Sequence, residues 1–281
     1  MCISSKTLAR LIVTDRLKNK VALITGAGTR GEIVGIGQAS SILMAREGAK
    51  ILINDIDPER ANSTLSQIKD EGGEGFIVVE DCTREDGCKS IIDKCLDQFG
   101  KIDILFNNVG SVGSGMVTEI EEESWQKSID SNLKSAVMMS KHAVPIMSES
   151  GGGSIINISS IDAIRAGGSK NVPYSVAKAG ISHLTRIMAV HHGRQKIRVN
   201  CLAPGHVHGS FPNSIKKIPE EIRELRRKAG PLGTEGDAWD VAWAVVFLAS
   251  EESRWISGAV IPVDAGLHAA SPLSVWDNLN E

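Results

Sequence analysis

Apolar residues along this chain alternate between short unbroken runs and longer stretches at helical spacing. Val21-Ala22-Leu23-Ile24 is an unbroken run that stops at Thr25-Gly26, as expected of a strand buried on both faces. From Gln38 onward the apolar positions recur at helical spacing until Gly48 ends them. The alternation then repeats, with strands predicted at 50–54, 76–79, 102–106, 154–158, 197–202 and 259–263. Helices are predicted at about 58–70, 84–99, 122–147, 174–192 and 237–249. Strands separated by helices of about 10 to 15 residues predict an α/β fold, a doubly wound parallel sheet with helices on both faces. Residues 1–17 read as an N-terminal extension with too few apolar residues for a core of their own, 18–268 as a single domain and 269–281 as a C-terminal tail. Within the domain, 206–233 is irregular with one charged helix, the pattern of a flap over the strand ends.

The candidate chemistry clusters where strands end. Gly26, Gly28, Gly31, Gly35 and Gly37 stand between the first strand and the first helix. Strand, glycine loop, helix is a phosphate-binding order: glycines let backbone N–H groups approach a pyrophosphate, and the helix N-terminus adds a partial positive charge. Asp55 ends the second strand, twenty positions after Gly35, where a carboxylate accepts hydrogen bonds from an adenosine ribose and repels a 2′-phosphate. The expected cofactor is therefore NAD, ahead of NADP. Arg30 in the loop pulls the other way, since a guanidinium there can meet a phosphate. Asp81 and Asn108 also fall at strand ends, hence on the same rim.

Tyr174 and Lys178 are four residues apart in a predicted helix, so they share a face. A cation beside a phenol favours the phenolate and brings proton exchange closer to neutral pH. The same spacing arises by chance on surface helices, so the pair acquires meaning only from the rim motifs upstream.

Composition narrows the partners. The chain of 281 residues has 28 glycines, 42% apolar and 4% aromatic residues, and a net charge of −3 with a pI near 6.2. That balance excludes a general nucleic-acid binder. The run Arg223, Arg226, Arg227, Lys228 is interleaved with Glu220, Glu221 and Glu224 and reads as a solvated helix face. Cys2, Cys82, Cys88, Cys95 and Cys201 form neither a zinc pattern nor a disulfide framework. With no secretory apolar stretch and none of membrane-spanning length, a cytoplasmic protein without a membrane partner is expected.

Taken together, Thr25-Gly26, Asp81, Asn107-Asn108-Val109-Gly110, Asn132, Ser160, Tyr174-x-x-x-Lys178 and Pro204-Gly205 resemble the classical short-chain dehydrogenase/reductase family over about residues 18–268. The resemblance implies a Rossmann-like dinucleotide-binding domain and hydride transfer between NAD(H) and a secondary alcohol or ketone. Tyr174 would be the general acid/base, Lys178 would lower its pKa and hold the nicotinamide ribose, Ser160 would orient the substrate oxygen and Asn132 would support a water-linked proton path. On the cofactor, Gly26, Gly28, Gly35, Ile36 and Gly37 would cradle the pyrophosphate and Asp55 the adenosine ribose. Asp81 and Cys82 would meet the adenine, Asn108 and Gly110 the neighbouring ribose, and Pro204, Gly205 and Val207 the nicotinamide.

Three spacings depart from the family pattern. The glycine loop is five residues longer, with eight residues between Gly26 and Gly35; Ser160 and Tyr174 are fourteen apart, one more than expected, which keeps Ser159 as a fallback; and Gly209, beside Ser210, stands where the family often has threonine. A cofactor-binding scaffold or a nonredox lyase or isomerase on the same fold stays open. The resemblance also implies a homodimer or homotetramer, paired through the helices around 133–147 and 174–192. Met116, Ile161, Ile164, Val172 and Phe211 fall in the loops where substrate would sit and point to an apolar alcohol or ketone, with His206 and His208 flanking the nicotinamide.

Overall fold

The unbroken apolar runs become the inner strands of a sheet. The computed structural model describes residues 15–29, 33–167, 169–208, 218–271 and 279. Its strands are β1 (Val21–Thr25), β2 (Lys50–Asp55), β3 (Gly75–Val79), β4 (Ile104–Asn107), β5 (Gly153–Ile158), β6 (Ile197–Pro204), β7 (Val207–His208), β8 (Gly236–Asp237) and β9 (Val260–Val263). Seven of them form one parallel sheet in the order β3-β2-β1-β4-β5-β6-β9, and β7 pairs with β8 in a separate ribbon. The fold is the doubly wound, Rossmann-like sheet that the sequence predicts. Every residue of β1 and β4 is buried, whereas the edge strands β3 and β9 are partly exposed, as expected of a parallel sheet covered on both faces.

The helices are α1 (Ile36–Arg46), α2 (Pro58–Asp70), α3 (Glu85–Phe99), α4 (Glu122–Ile129), α5 (Ser135–Glu149), α6 (Val172–His192), α7 (Glu220–Ala229) and α8 (Ala238–Ala249). They cover both faces of the sheet. Ala22 and Ile24 of β1 join a core with α1 and α8, while Val21 and Leu23 point the other way into a core with α3 and α5. Cys88, Cys95, Met139 and Met147 are packing residues of the second core. The start of α2 follows from its cap: Asp57 accepts from the backbone N–H groups of Glu59 and Arg60, and Pro58 takes the first helical position. At the start of α8, Asp237 and Asp240 form a reciprocal capping box.

The segment predicted as one helix over 122–147 is instead interrupted. Between α4 and α5, residues Asp130–Lys134 form a π-helical turn that contains Asn132. Leu17, inside the predicted extension, is fully buried, and its N–H donates to the Glu47 carbonyl. Arg30, Gly31, Gly209, Ser210, Phe211, Trp276, Cys2 and the rest of 1–14 lie outside the described residues. Among the described residues, no helix is long and apolar enough to cross a membrane.

Candidate active site

A cleft of about 710 Å³ opens along the carboxyl ends of the strands, where β1 and β4 lead their chains to opposite sides of the sheet. The expected cofactor and catalytic residues line it: Gly26, Gly28, Gly35 and Gly37 with Ile36, then Asp55, Asp81 and Cys82, then Asn108 and Gly110, and at the far end Asn132, Ser160, Tyr174, Lys178, Pro204, Gly205 and Val207.

Close backbone approach builds the floor. The Asn108 side chain donates to the Gly26 carbonyl at 2.9 Å, and Gly26 takes a left-handed φ of 62°. A Cβ at Gly37 would lie 2.2 Å from the Gly26 oxygen and 2.6 Å from Asn108 Nδ2, so only glycine fits there. The Gly28 N–H donates to Asp55 Oδ2 at 2.9 Å and the Asp57 N–H to Asp55 Oδ1 at 3.0 Å, which fixes the carboxylate at the cleft. Across the enlarged loop, the Gly35 N–H donates to Thr29 Oγ1 at 2.7 Å. Thr29 and Gly35 are therefore tied together before α1 begins. Gly35 offers α1 no side-chain cap, leaving the first-turn N–H groups of a helix that starts on the cleft available to an anion. This arrangement fits a pyrophosphate.

At the Asp81 end of the cleft, Asp81 Oδ1 accepts from the Thr83 N–H and hydroxyl at 2.9 and 2.7 Å. Cys82 is buried, and burial pushes its thiol pKa far up, so it offers no thiolate. Arg60 also lines the cleft beside Asp55, with its Nε 3.0 Å from Asp57 Oδ2. The sequence reading missed it. The available signal was its place in the first turn of a helix that starts three residues after the acidic strand end.

At the other end, Tyr174 and Ser160 line the cleft together, and the Ser160 hydroxyl lowers the Tyr174 pKa. Ser160 Oγ also accepts from the Asp162 N–H at 3.1 Å, capping a short 3-10 turn. Ser159 faces inward instead, donating to the Lys178 carbonyl at 2.8 Å and lying 2.8 Å from Ser182 Oγ. The stretch between Ser160 and Tyr174 begins with that turn and ends near a bridge between Gly115 and Asn171. Lys178 is buried under the site: its Nζ donates to the Ile158 carbonyl at 2.8 Å and lies 5.7 Å from the Tyr174 ring centroid.

Burial dominates both titrations. It pushes the Tyr174 pKa up to about 12, against the lowering effect of the Ser160 hydroxyl, and pulls that of Lys178 down to about 8. Burial thus outweighs the polar neighbours at both groups. Asn132 donates to the carbonyls of Ser111 and Ser128 at 2.8 and 2.9 Å. Its Oδ1 has no hydrogen-bond partner among the described residues and faces the cleft beside Gly110, close to where Lys178 Nζ lies.

The substrate side is less filled than the sequence suggested. Ile161 is buried, Ile164 and Met116 are exposed, and none of them lines the cleft with Tyr174. His206 is exposed between Gly205 and Val207; its pKa is lowered by partial burial and by the nearby Arg226 and Arg165.

The sequence matches the enoyl-(acyl carrier protein) reductase family profile over residues 31–268. It is 35% identical over 252 residues to the 3-oxoacyl-[acyl-carrier-protein] reductase FabG of Thermotoga maritima, covering 90% of this chain and 99% of that protein. Among solved structures, a Burkholderia xenovorans protein described as a short-chain dehydrogenase/reductase superposes with a TM-score of 0.86 at 35% identity, over 91% of this chain and 99% of that one. A 7α-hydroxysteroid dehydrogenase complexed with NADH and 7-oxo glycochenodeoxycholic acid superposes with a TM-score of 0.83 at 33% identity, over 90% and 96% of the two chains.

Proposed function

Because the chain belongs to the short-chain dehydrogenase/reductase family and is an oxidoreductase, we propose that it moves a hydride between NAD(H) and a secondary alcohol or ketone, with Tyr174 as general acid/base. The observation that carries this reading is Tyr174 and Ser160 side by side on the cleft with buried Lys178 close to the Tyr174 ring, at one end of a cleft whose other end suits a dinucleotide. The bound nicotinamide supplies the hydride donor or acceptor. Ser160 holds the substrate oxygen by hydrogen bonding, where negative charge develops. Tyr174 gives that oxygen its proton in reduction and takes it in oxidation. Lys178 holds the nicotinamide ribose, and the open Oδ1 of Asn132 accepts from the proton path that resupplies Tyr174.

Asp55 supports NAD over NADP. Its carboxylate is pinned at the cleft by two backbone N–H groups, and a 2′-phosphate beside it would be repelled. The bound NADH in the related 7α-hydroxysteroid dehydrogenase supports the same preference. That enzyme's bulky, mainly apolar ketone supports an apolar substrate here. A homodimer or homotetramer belongs to the reading too, supported by the exposed Val176, Ile187 and Val190 along α6.

The test is turnover of cyclohexanol, 1-phenylethanol and 2-octanol with NAD and with NADP, in the wild type and Tyr174→Phe. Oxidation with NAD should dominate, and Tyr174→Phe should lose about 10²- to 10⁴-fold in kcat while still binding NADH. Full activity in the variant, or NADH binding with no turnover by the wild type, would defeat the proposal.

A further inference from the structure

Helix α7 is held by charge and not by apolar burial. None of its side chains is buried, and Ile222 and Leu225 stay 44% and 51% exposed. What reaches into the body is Arg223, whose Nε and Nη2 donate to Glu235 Oε2 at 2.8 and 2.6 Å. Arg227 Nη1 lies 3.7 Å from the same oxygen. The pairs of Arg223 and Arg227 with Glu220 and Glu224 involve exposed carboxylates and contribute little. Glu235 differs because its side chain is only 7% exposed. A carboxylate so far out of water is stable only with its partner in place.

The second oxygen of Glu235 points the opposite way. Oε1 lies 3.9 Å from His208 Nδ1, and neither atom has a hydrogen-bond partner among the described residues. His208 follows Val207 in β7, and Val207 lines the cleft. Glu235 itself directly precedes β8, which pairs with β7. One buried carboxylate thus stands between α7 and the strand that carries Val207.

We infer that Glu235 is a positioning residue: through Arg223 it holds α7 against the β7–β8 ribbon beside the cleft, and so shapes the substrate side of the site. The substrate half of this inference rests on the oxidoreductase reading above; the tie itself does not. The experiment compares the wild type with Glu235→Gln, which keeps the shape and removes the charge, and with Glu235→Asp, which keeps the charge. Trypsin cleavage after Arg226, mapped by mass spectrometry, reads how often α7 comes away. Steady-state KM values for NAD and for the best alcohol of the panel read the consequence.

Glu235→Gln should be cut about tenfold faster, since cleavage follows the open population. Its alcohol KM should rise several-fold with the NAD KM and the melting midpoint unchanged, and Glu235→Asp should fall in between. Equal cleavage rates would overturn the tie. A loosened α7 with unchanged alcohol KM, or a parallel loss of kcat, NAD affinity and melting midpoint, would overturn the positioning role. A wild type inactive on the whole panel defeats the oxidoreductase reading and the substrate half with it, while the cleavage comparison still decides the tie.

Discussion

Lys178 is buried at the expense of stability. Its folded pKa of about 8 lies below the ordinary 10.5 because burial disfavours the ammonium. Below about pH 8 the penalty is fully present; between that value and 10.5 the unfolded chain holds a proton that the folded chain has released, so stability from this group rises with pH. Tyr174 runs the other way, losing stability as pH climbs from 10 towards its raised pKa of about 12. Lys178→Met should therefore melt higher than the wild type at pH 7, with the gap narrowing as pH rises past about 8, while turnover is lost. Scanning calorimetry across pH checks this, and a lower melting point for the variant at pH 7 would contradict it. The sequence made this pair legible as neighbours because helical spacing is a local property. It did not reveal the state of the proton, which depends on burial by segments far along the chain, such as Ile158 at the end of β5.

At the level of elements, what the sequence announced best was whatever is coded by adjacent residues. The Asp57-Pro58 cap put the start of α2 where it was expected. The π-helical turn at 130–134 was not readable, because it accompanies side-chain bonds from Asn132 back to Ser128 and across to Ser111, and a donor that competes for the helix's own carbonyls has no periodic signature. The same reason hid Glu235: interleaved charges look solvated until a distant carboxylate is found buried beneath them. The glycine loop was readable as a loop, and its packing makes a sharp prediction. In Gly37→Ala the new Cβ, 2.2 Å from the Gly26 oxygen, must push β1's loop and α1 apart at a cost of about 1–3 kcal/mol. NADH affinity by fluorescence titration should fall at least about tenfold with the far-UV circular dichroism little changed; unchanged affinity would mean that the loop does not cradle the cofactor.

For the molecule as a whole, the apolar positions that remain wet are informative. Val176, Ile187 and Val190 on α6 are 47%, 39% and 78% exposed, and α6 is the helix that carries Tyr174 and Lys178. Covering that row by a second copy would stiffen the catalytic helix from outside. Sedimentation at micromolar concentration should accordingly give a dimer or tetramer, and a single monomer boundary would argue against the pairing.

The Asn108 to Gly26 bond joins residues 82 positions apart in the chain, and it sits where the first and fourth strands of a purely parallel sheet lie side by side. More than a third of the chain must therefore be synthesised and docked before any floor exists for a phosphate to rest on. A fragment ending after β3 would carry every glycine of the loop and Asp55, yet have no binding surface, so the nucleotide cannot act as an early template for its own site. Ligand affinity in this protein is a late product of folding, and it should appear together with the last of the tertiary structure.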